Sequence, residues 1–268
     1  MAASELRSSR ERVYHTDAIV LSRFNFGEAD RILSVLTPSL GKLRVIAKGI
    51  RRPTSRFASH TELLSLTHLT LAKGRDLDVV AGAQLRGGYW SVREDLDAMG
   101  SASHCAELVE QLLQERDSHP GLFRALRSAL ELLDSGASPN LIGRWFELTI
   151  LASVGFRPDL YRCVACGNDV EARPNPLSGR LGGMLCSGCR STDAQAPELS
   201  VSAQKLLRVL DRDGVTVALR LSIPAEVVSE MGEALQAFTQ HHVDRDMRSM
   251  RVMRRVNESL PAVAYDPT

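Results

Sequence analysis

Over the first 85 or so positions, apolar residues recur in short runs and not at helical spacing. The runs cover residues 18–26, 32–36, 43–50, 63–71 and 77–85. They are broken by Gly27 and Glu28, by residues 38–41, by the polar stretch 51–61 and by residues 73–76. Runs of this length between turn-forming residues predict strands. Five short strands in so little chain suit a small closed barrel, and the OB-fold is the common five-stranded solution. From about residue 90 the apolar period becomes helical. Cys105, Leu108, Leu112 and Leu113 form one stripe, and Leu122, Leu126, Leu130 and Leu133 form another. Ser138 and Pro139 read as an N-cap followed by proline in the first turn, opening a helix with Leu141, Trp145, Phe146 and Leu148 that stops at Gly155. Residues 201–210 predict a further helix. Pro224 opens another, with Val227, Met231, Leu235 and Phe238 on one face. The last residues, 261–268, read as a frayed tail.

Four of the five cysteines interrupt the helical half in the pattern Cys-x2-Cys-x19-Cys-x2-Cys: Cys163, Cys166, Cys186 and Cys189. Two thiolates two residues apart can turn back on one ion, and two such knuckles close a tetrahedron around Zn2+. Gly167 follows the first pair, Gly188 lies inside the second, and residues 179–183 are glycine-rich enough to turn a connecting hairpin. Four protein ligands leave no open position, so the expected site is structural and not catalytic. A pair of redox CxxC motifs would need a surrounding βαβ pattern, which is absent. Ligation of an iron–sulfur cluster is the minor alternative. Cys105 falls on an apolar stripe and reads as a small buried side chain.

These patterns give a multidomain β + α protein: an N-terminal OB-fold β-barrel followed by an α-helical domain with an embedded four-Cys zinc module. The expected boundaries are 1–88 for the barrel, 89–160 and 198–260 for the two parts of the helical domain, 161–197 for the zinc module and 261–268 for the tail.

The composition is that of an ordinary globular chain, and no apolar run nears the ~18 residues that cross a bilayer. The N-terminus lacks the apolar core of a secretory signal. The expectation is an intracellular, cytoplasmic protein with no membrane partner. The net charge of +1 hides an asymmetry: residues 1–90 carry 14 Lys and Arg against 8 Asp and Glu, and residues 91–160 carry 6 against 11. A basic front half points to a polyanion partner. Its focus is residues 41–56. On a strand, Lys42, Arg44, Ile46 and Lys48 share one face while Leu43, Val45 and Ala47 share the other. Arg51, Arg52 and Arg56 follow, with no acid from Lys42 to Arg56. Cations about 7 Å apart along a strand can track the phosphates of a single nucleic-acid strand. Phe24, Phe26 and Phe57 are the available stacking aromatics, but phenylalanine at strand positions is more often core, so the expected binding is electrostatic and sequence-tolerant. A second stripe, Arg245, Arg248, Arg251, Arg254 and Arg255 with Met247, Met250 and Met253 beside it, is either a solvated helix face or an auxiliary DNA or partner contact. There is no phosphate-binding P-loop, no G-x-S-x-G and no H-E-x-x-H. The seven histidines form no ligand set, and adjacent His241 and His242 point to different sides of their helix. The pattern favours a binding protein over an enzyme, and the closed thiolate set argues against a zinc hydrolase.

The run 18–37, with Glu28, Asp30, Arg31, Ile32 and Leu33, then Gly41 and the stretch 47–51, resembles the RecO family of bacterial DNA repair proteins. The likeness continues through residues 155–158 and the four cysteines, and covers about residues 13–260. The resemblance implies an N-terminal OB-fold, a helical domain with a zinc-binding module, and a recombination mediator. Such a protein binds single- and double-stranded DNA, anneals complementary strands and, with RecR, helps load RecA on DNA coated by single-strand binding protein. It also places Lys42, Arg44, Lys48, Arg51, Arg52 and Arg56 in the DNA-contacting region. The competing reading is a zinc-containing docking adaptor in which DNA contact is secondary. Apolar residues near the 222–242 helix would then receive the acidic tail of single-strand binding protein.

Overall fold

The computed structural model describes residues 13–257, with side chains to residue 242. Five strands come first: β1 (Val13–Phe26), β2 (Asp30–Thr37), β3 (Gly41–Ala47), β4 (Leu66–Ala72) and β5 (Asp78–Gly87). They close into a barrel in the order β1-β2-β3-β5-β4, with β4 returning antiparallel to β1. The closing pair β3–β5 is parallel and short, matching Val45 with Asp78 and Ile46 with Val79. Period-2 alternation supplies the filling. Ala18, Val20, Leu33, Val35, Leu43, Val45, Ala47, Leu69, Leu71 and Val80 point into one buried cluster. Each large aliphatic side chain so buried contributes about 2 kcal/mol before entropy is counted. The third strand is shorter than expected. It ends at Ala47, and Lys48 already lies in the turn beyond it.

The outward residues of one side of the barrel do not meet water. Ile19, Leu21, Leu36, Leu64 and Leu66 belong to the core of the helical half. That half contains α1 (Trp90–Glu94), α2 (Leu96–Leu112), α3 (Pro120–Asp134), α4 (Pro139–Ser153), α5 (Val201–Arg212), α6 (Val215–Ala218) and α7 (Ala225–Asn257). Asp95 caps α2 by accepting from the amides of Asp97 and Ala98. Pro120 and Pro139 sit in the first turns of α3 and α4, where the missing N–H costs no hydrogen bond. Cys105 is fully buried on α2, and desolvation pushes its thiol well above the ordinary range.

Between α4 and α5 the chain forms a small sheet, β6 (Asn175–Ser178), β7 (Gly183–Met184) and β8 (Glu198–Leu199), in the order β7-β6-β8. Residues 179–182 turn the chain between β6 and β7, with the Gly182 amide bonded to the Ser178 carbonyl. Leu177, Met184 and Leu199 anchor this sheet in the helical core. On α7, His242 stacks on Phe156 and meets Phe238 at a tilt while His241 is exposed, as expected for neighbours on a helix. Arg245, Arg248, Arg251, Arg254 and Arg255 fall on the last turns of α7, where side chains lie outside the described residues.

Candidate metal centre and nucleic-acid interface

Two tight turns build the thiol cluster. The Cys163 amide bonds to the Asn168 carbonyl and the Gly167 amide to the Cys163 carbonyl, which folds the first pair back on itself. Gly167 has φ +79, a conformation that other residues adopt only with strain. Cys186 precedes a 3-10 turn, Ser187–Asp193, and accepts from the Cys189 amide. The four Sγ atoms lie within 4.8 Å of one another, and Cys166 and Cys186 are 3.8 Å apart. Burial opposes charge on Cys163. The backbone amides of Cys186, Cys166 and Ala165 point at its sulfur and outweigh that, drawing it down to about 6. Cys189 goes the other way, pushed up to about 12 by hydrogen bonding with Cys186 and Cys166. Thiols this close cannot all ionise unless a cation stands among them, so the cluster can hold a metal ion.

The cationic row divides in two. Alternation along β3 is as expected, with Leu43, Val45 and Ala47 inside. Yet Lys42 and Arg44 are not free. The segment 113–118, which follows α2, crosses the barrel beside β3. Its backbone pairs with β3 as a single parallel β-bridge between Glu115 and Lys42, with the Arg116 amide donating to the Lys42 carbonyl at 2.8 Å. Lys42 is only 8% exposed. It donates to the Glu110 carbonyl and lies 3.7 Å from the Glu110 carboxylate. Burial lowers its ammonium below the ordinary lysine value, with Glu110 pulling the other way. Arg44 donates through Nε to Glu115 at 3.0 Å. Gly41 makes the approach possible: a Cβ there would lie 1.8 Å from the Asp117 carbonyl oxygen. The expectation of an unopposed row from Lys42 onward is therefore corrected, because acids distant in sequence cover its first two members.

Lys48, Arg51, Arg52 and Arg56 are exposed, and none pairs with a carboxylate among the described residues. Their loop is fixed against the β1–β2 turn. The Arg51 amide donates to the Ala29 carbonyl and its guanidinium to the Gly27 carbonyl, and the Gly49 amide donates to Asp30 at 2.6 Å. Lys73 and Arg75 in the β4–β5 loop are exposed as well, but that loop lies at the other end of the barrel, beside Ser39 and Leu40 of the β2–β3 turn, and does not join this group.

Phe24 and Phe26, expected in the core, stand 60% and 54% exposed. The reason is a bulge. Val20 pairs with Val35 but Ser22 pairs with Ser34, so Leu21 is an extra residue and the alternation of β1 inverts after it. No hydrophobic pattern reveals that inversion, so the sequence reading missed it.

On the helical half, a groove of about 500 Å³ runs past Trp145, Leu148, Ala152 and Leu210. It lies between α4 and α5, not on the 222–242 helix. Its arginines are occupied: Arg157 pairs with Asp211 and Arg212 with Asp213, each at 2.8–2.9 Å. Among the described residues no helix is long and apolar enough to cross a membrane.

Comparison with known proteins covers both halves. A family model described as Recombination protein O N terminal matches residues 12–89, and one described as Recombination protein O C terminal matches residues 93–251. A DNA repair protein RecO from Roseiflexus sp. is 38% identical over 251 residues, covering 94% of this chain and 88% of that protein. One from Dehalococcoides mccartyi is 35% identical over 237 residues, covering 88% and 93%. One from Desulforudis audaxviator is 38% identical over 251 residues, covering 92% and 98%. With both halves matched by the family models, and the relatives aligned along nearly their whole length, the chain belongs to the RecO family of recombination and DNA repair proteins.

Proposed function

We propose that the protein is a non-enzymatic recombination mediator of DNA repair, acting in the cytoplasm on nucleoid DNA. It binds single- and double-stranded DNA, anneals complementary strands and, with RecR, assists RecA loading on DNA coated by single-strand binding protein, whose acidic tail docks on the helical domain. The division of labour follows the expected boundaries: residues 1–88 as an OB-fold that meets DNA, 89–160 and 198–260 as a helical scaffold, and 161–197 as a zinc module. The five-stranded order supports the OB-fold reading. The metal is zinc, one per chain, held by Cys163, Cys166, Cys186 and Cys189. Zn–S bonds of about 2.3 Å imply tetrahedral S···S edges of about 3.8 Å, which the Cys166–Cys186 separation matches. When bound, the ion cross-links two chain reversals and performs no chemistry.

The observation that carries the DNA reading is the group Lys48, Arg51, Arg52 and Arg56, exposed and, among the described residues, without acid partners, in the loop bonded to the β1–β2 turn. Annealing follows from charge neutralisation. Cations that bind one strand's phosphates lower the repulsion met by a second strand. Arg51→Glu with Arg52→Glu is expected to weaken binding across all sequences. With four phosphates engaged, log affinity for single strands should fall with log salt at a slope of about −3. An unchanged double variant, or affinity indifferent to salt, overturns the assignment. Strand annealing with and without single-strand binding protein tests the mediator role.

A further inference from the structure

Among the described residues, the exposed pair Phe24 and Phe26 packs into neither buried cluster. The bulge at Leu21 turns both rings out of the barrel, although inward rings would have been buried. Phe24, Ile32, Ile46 and Val79 are successive cross-strand partners on β1, β2, β3 and β5, so they share one outer face, and none of the four is buried. Phe26 pairs with Asp30, whose carboxylate is taken by the Gly49 amide, and the Arg51 loop is bonded to the turn one residue further on. Two exposed phenylalanines, on a face they share with Ile32, Ile46 and Val79, thus meet a cationic loop that pairs with no carboxylate among the described residues, at the β1–β2 turn end of the barrel. Glu28 is the exposed acid at its margin.

The geometry points to a base-stacking platform: Phe24 and Phe26 take the faces of unpaired bases while Lys48, Arg51 and Arg52 hold the adjoining phosphates. This rests on the DNA-binding reading above and adds a preference to it. A duplex offers phosphates to the loop but keeps its base faces stacked on one another, so only a single strand can use the rings. The flanking cations, unpaired with any carboxylate among the described residues, select a polyanion over an apolar protein segment as the occupant.

The test uses the full chain and three probes: a single strand, an abasic strand of equal length and a blunt duplex. Phe24→Ala with Phe26→Ala is expected to lower affinity for the single strand roughly 30-fold or more, leaving the abasic strand and duplex within about twofold. Arg51→Glu with Arg52→Glu lowers all three. In Phe24→Trp, which retains an aromatic side chain should the alanine variant fold poorly, indole fluorescence is quenched by the single strand and not by the abasic one. Stacking is overturned if the phenylalanine variant binds the single strand as before, if it loses equally on all three probes, or if the indole is not quenched. The cationic reading fails separately, when Arg51→Glu with Arg52→Glu binds all three normally.

Discussion

Asp78 opens β5 with its side chain almost fully buried and three donors upon it. Tyr14 donates at 2.6 Å, the Gly74 amide at 3.1 Å and Arg116 at 3.1 Å. Burial pushes its carboxyl upward, but the donors and the Arg116 charge outweigh that, and its net position is below the ordinary value of 3.8. A carboxyl depressed on folding stabilises the protein fully above its unfolded value. That stability is lost as pH falls through the folded value. Asp78→Asn is therefore expected to cost about 2 kcal/mol near neutral pH, with the gap to the parent protein narrowing below about pH 4, as read by denaturant melts across pH. A gap that does not change with pH contradicts the ion pair. In the sequence Asp78 is only a polar position inside the strand-like run 77–85. Its partners lie 64 and 38 positions away, and no local pattern links them. The four clustered thiols were legible because their pattern is local within each pair. The orientation of Phe24 was not, because one extra residue upstream decides it.

Among the elements, the small sheet β6–β8 and its two knuckles depend most on a cross-link. The sheet has only two to four residues per strand, and a unit that size buries too little apolar surface to hold itself. Metal binding there is folding free energy. If the thiols hold the proposed zinc, Cys166→Ser, or chelation, is expected to abolish metal binding and lower the melting temperature. Hydrogen exchange of residues 161–197 should rise while barrel amides stay protected. A variant that keeps its zinc and its melting curve contradicts the structural role. The strands and main helices of the two halves were legible from periodicity, because a half-buried element repeats at its own geometric period. The length of α7, 33 residues, was not. Its apolar face fades into a charged continuation that has helical propensity but no pattern marking where the helix ends.

At the scale of the whole molecule, the barrel is clamped to the helical half by Ser22 and Lys42 on Glu110, Arg44 on Glu115 and Asp78 on Arg116. Two carboxylates occupy cations that alternation assigns to phosphates. Arg116, at φ +64, holds the crossing segment in a backbone conformation costly for a non-glycine residue. Glu115→Gln is expected to free Arg44, raising single-strand affinity a few-fold and steepening the salt slope by about 0.7. In an Arg44→Gln background the same change should have no effect. An equal gain in both backgrounds would show that general charge, and not the pair, is responsible.

The sequence by itself determined the elements, the inward and outward faces of β3 and the four thiols, since each depends on residues close together in the chain. Only the tertiary structure decided which outward faces reach water. Burial and ion pairing at a surface depend on what the rest of the chain lays against it. Here Glu110 and Glu115 closed part of the cationic strand, and a single bulge turned two phenylalanines outward beside the part that remains.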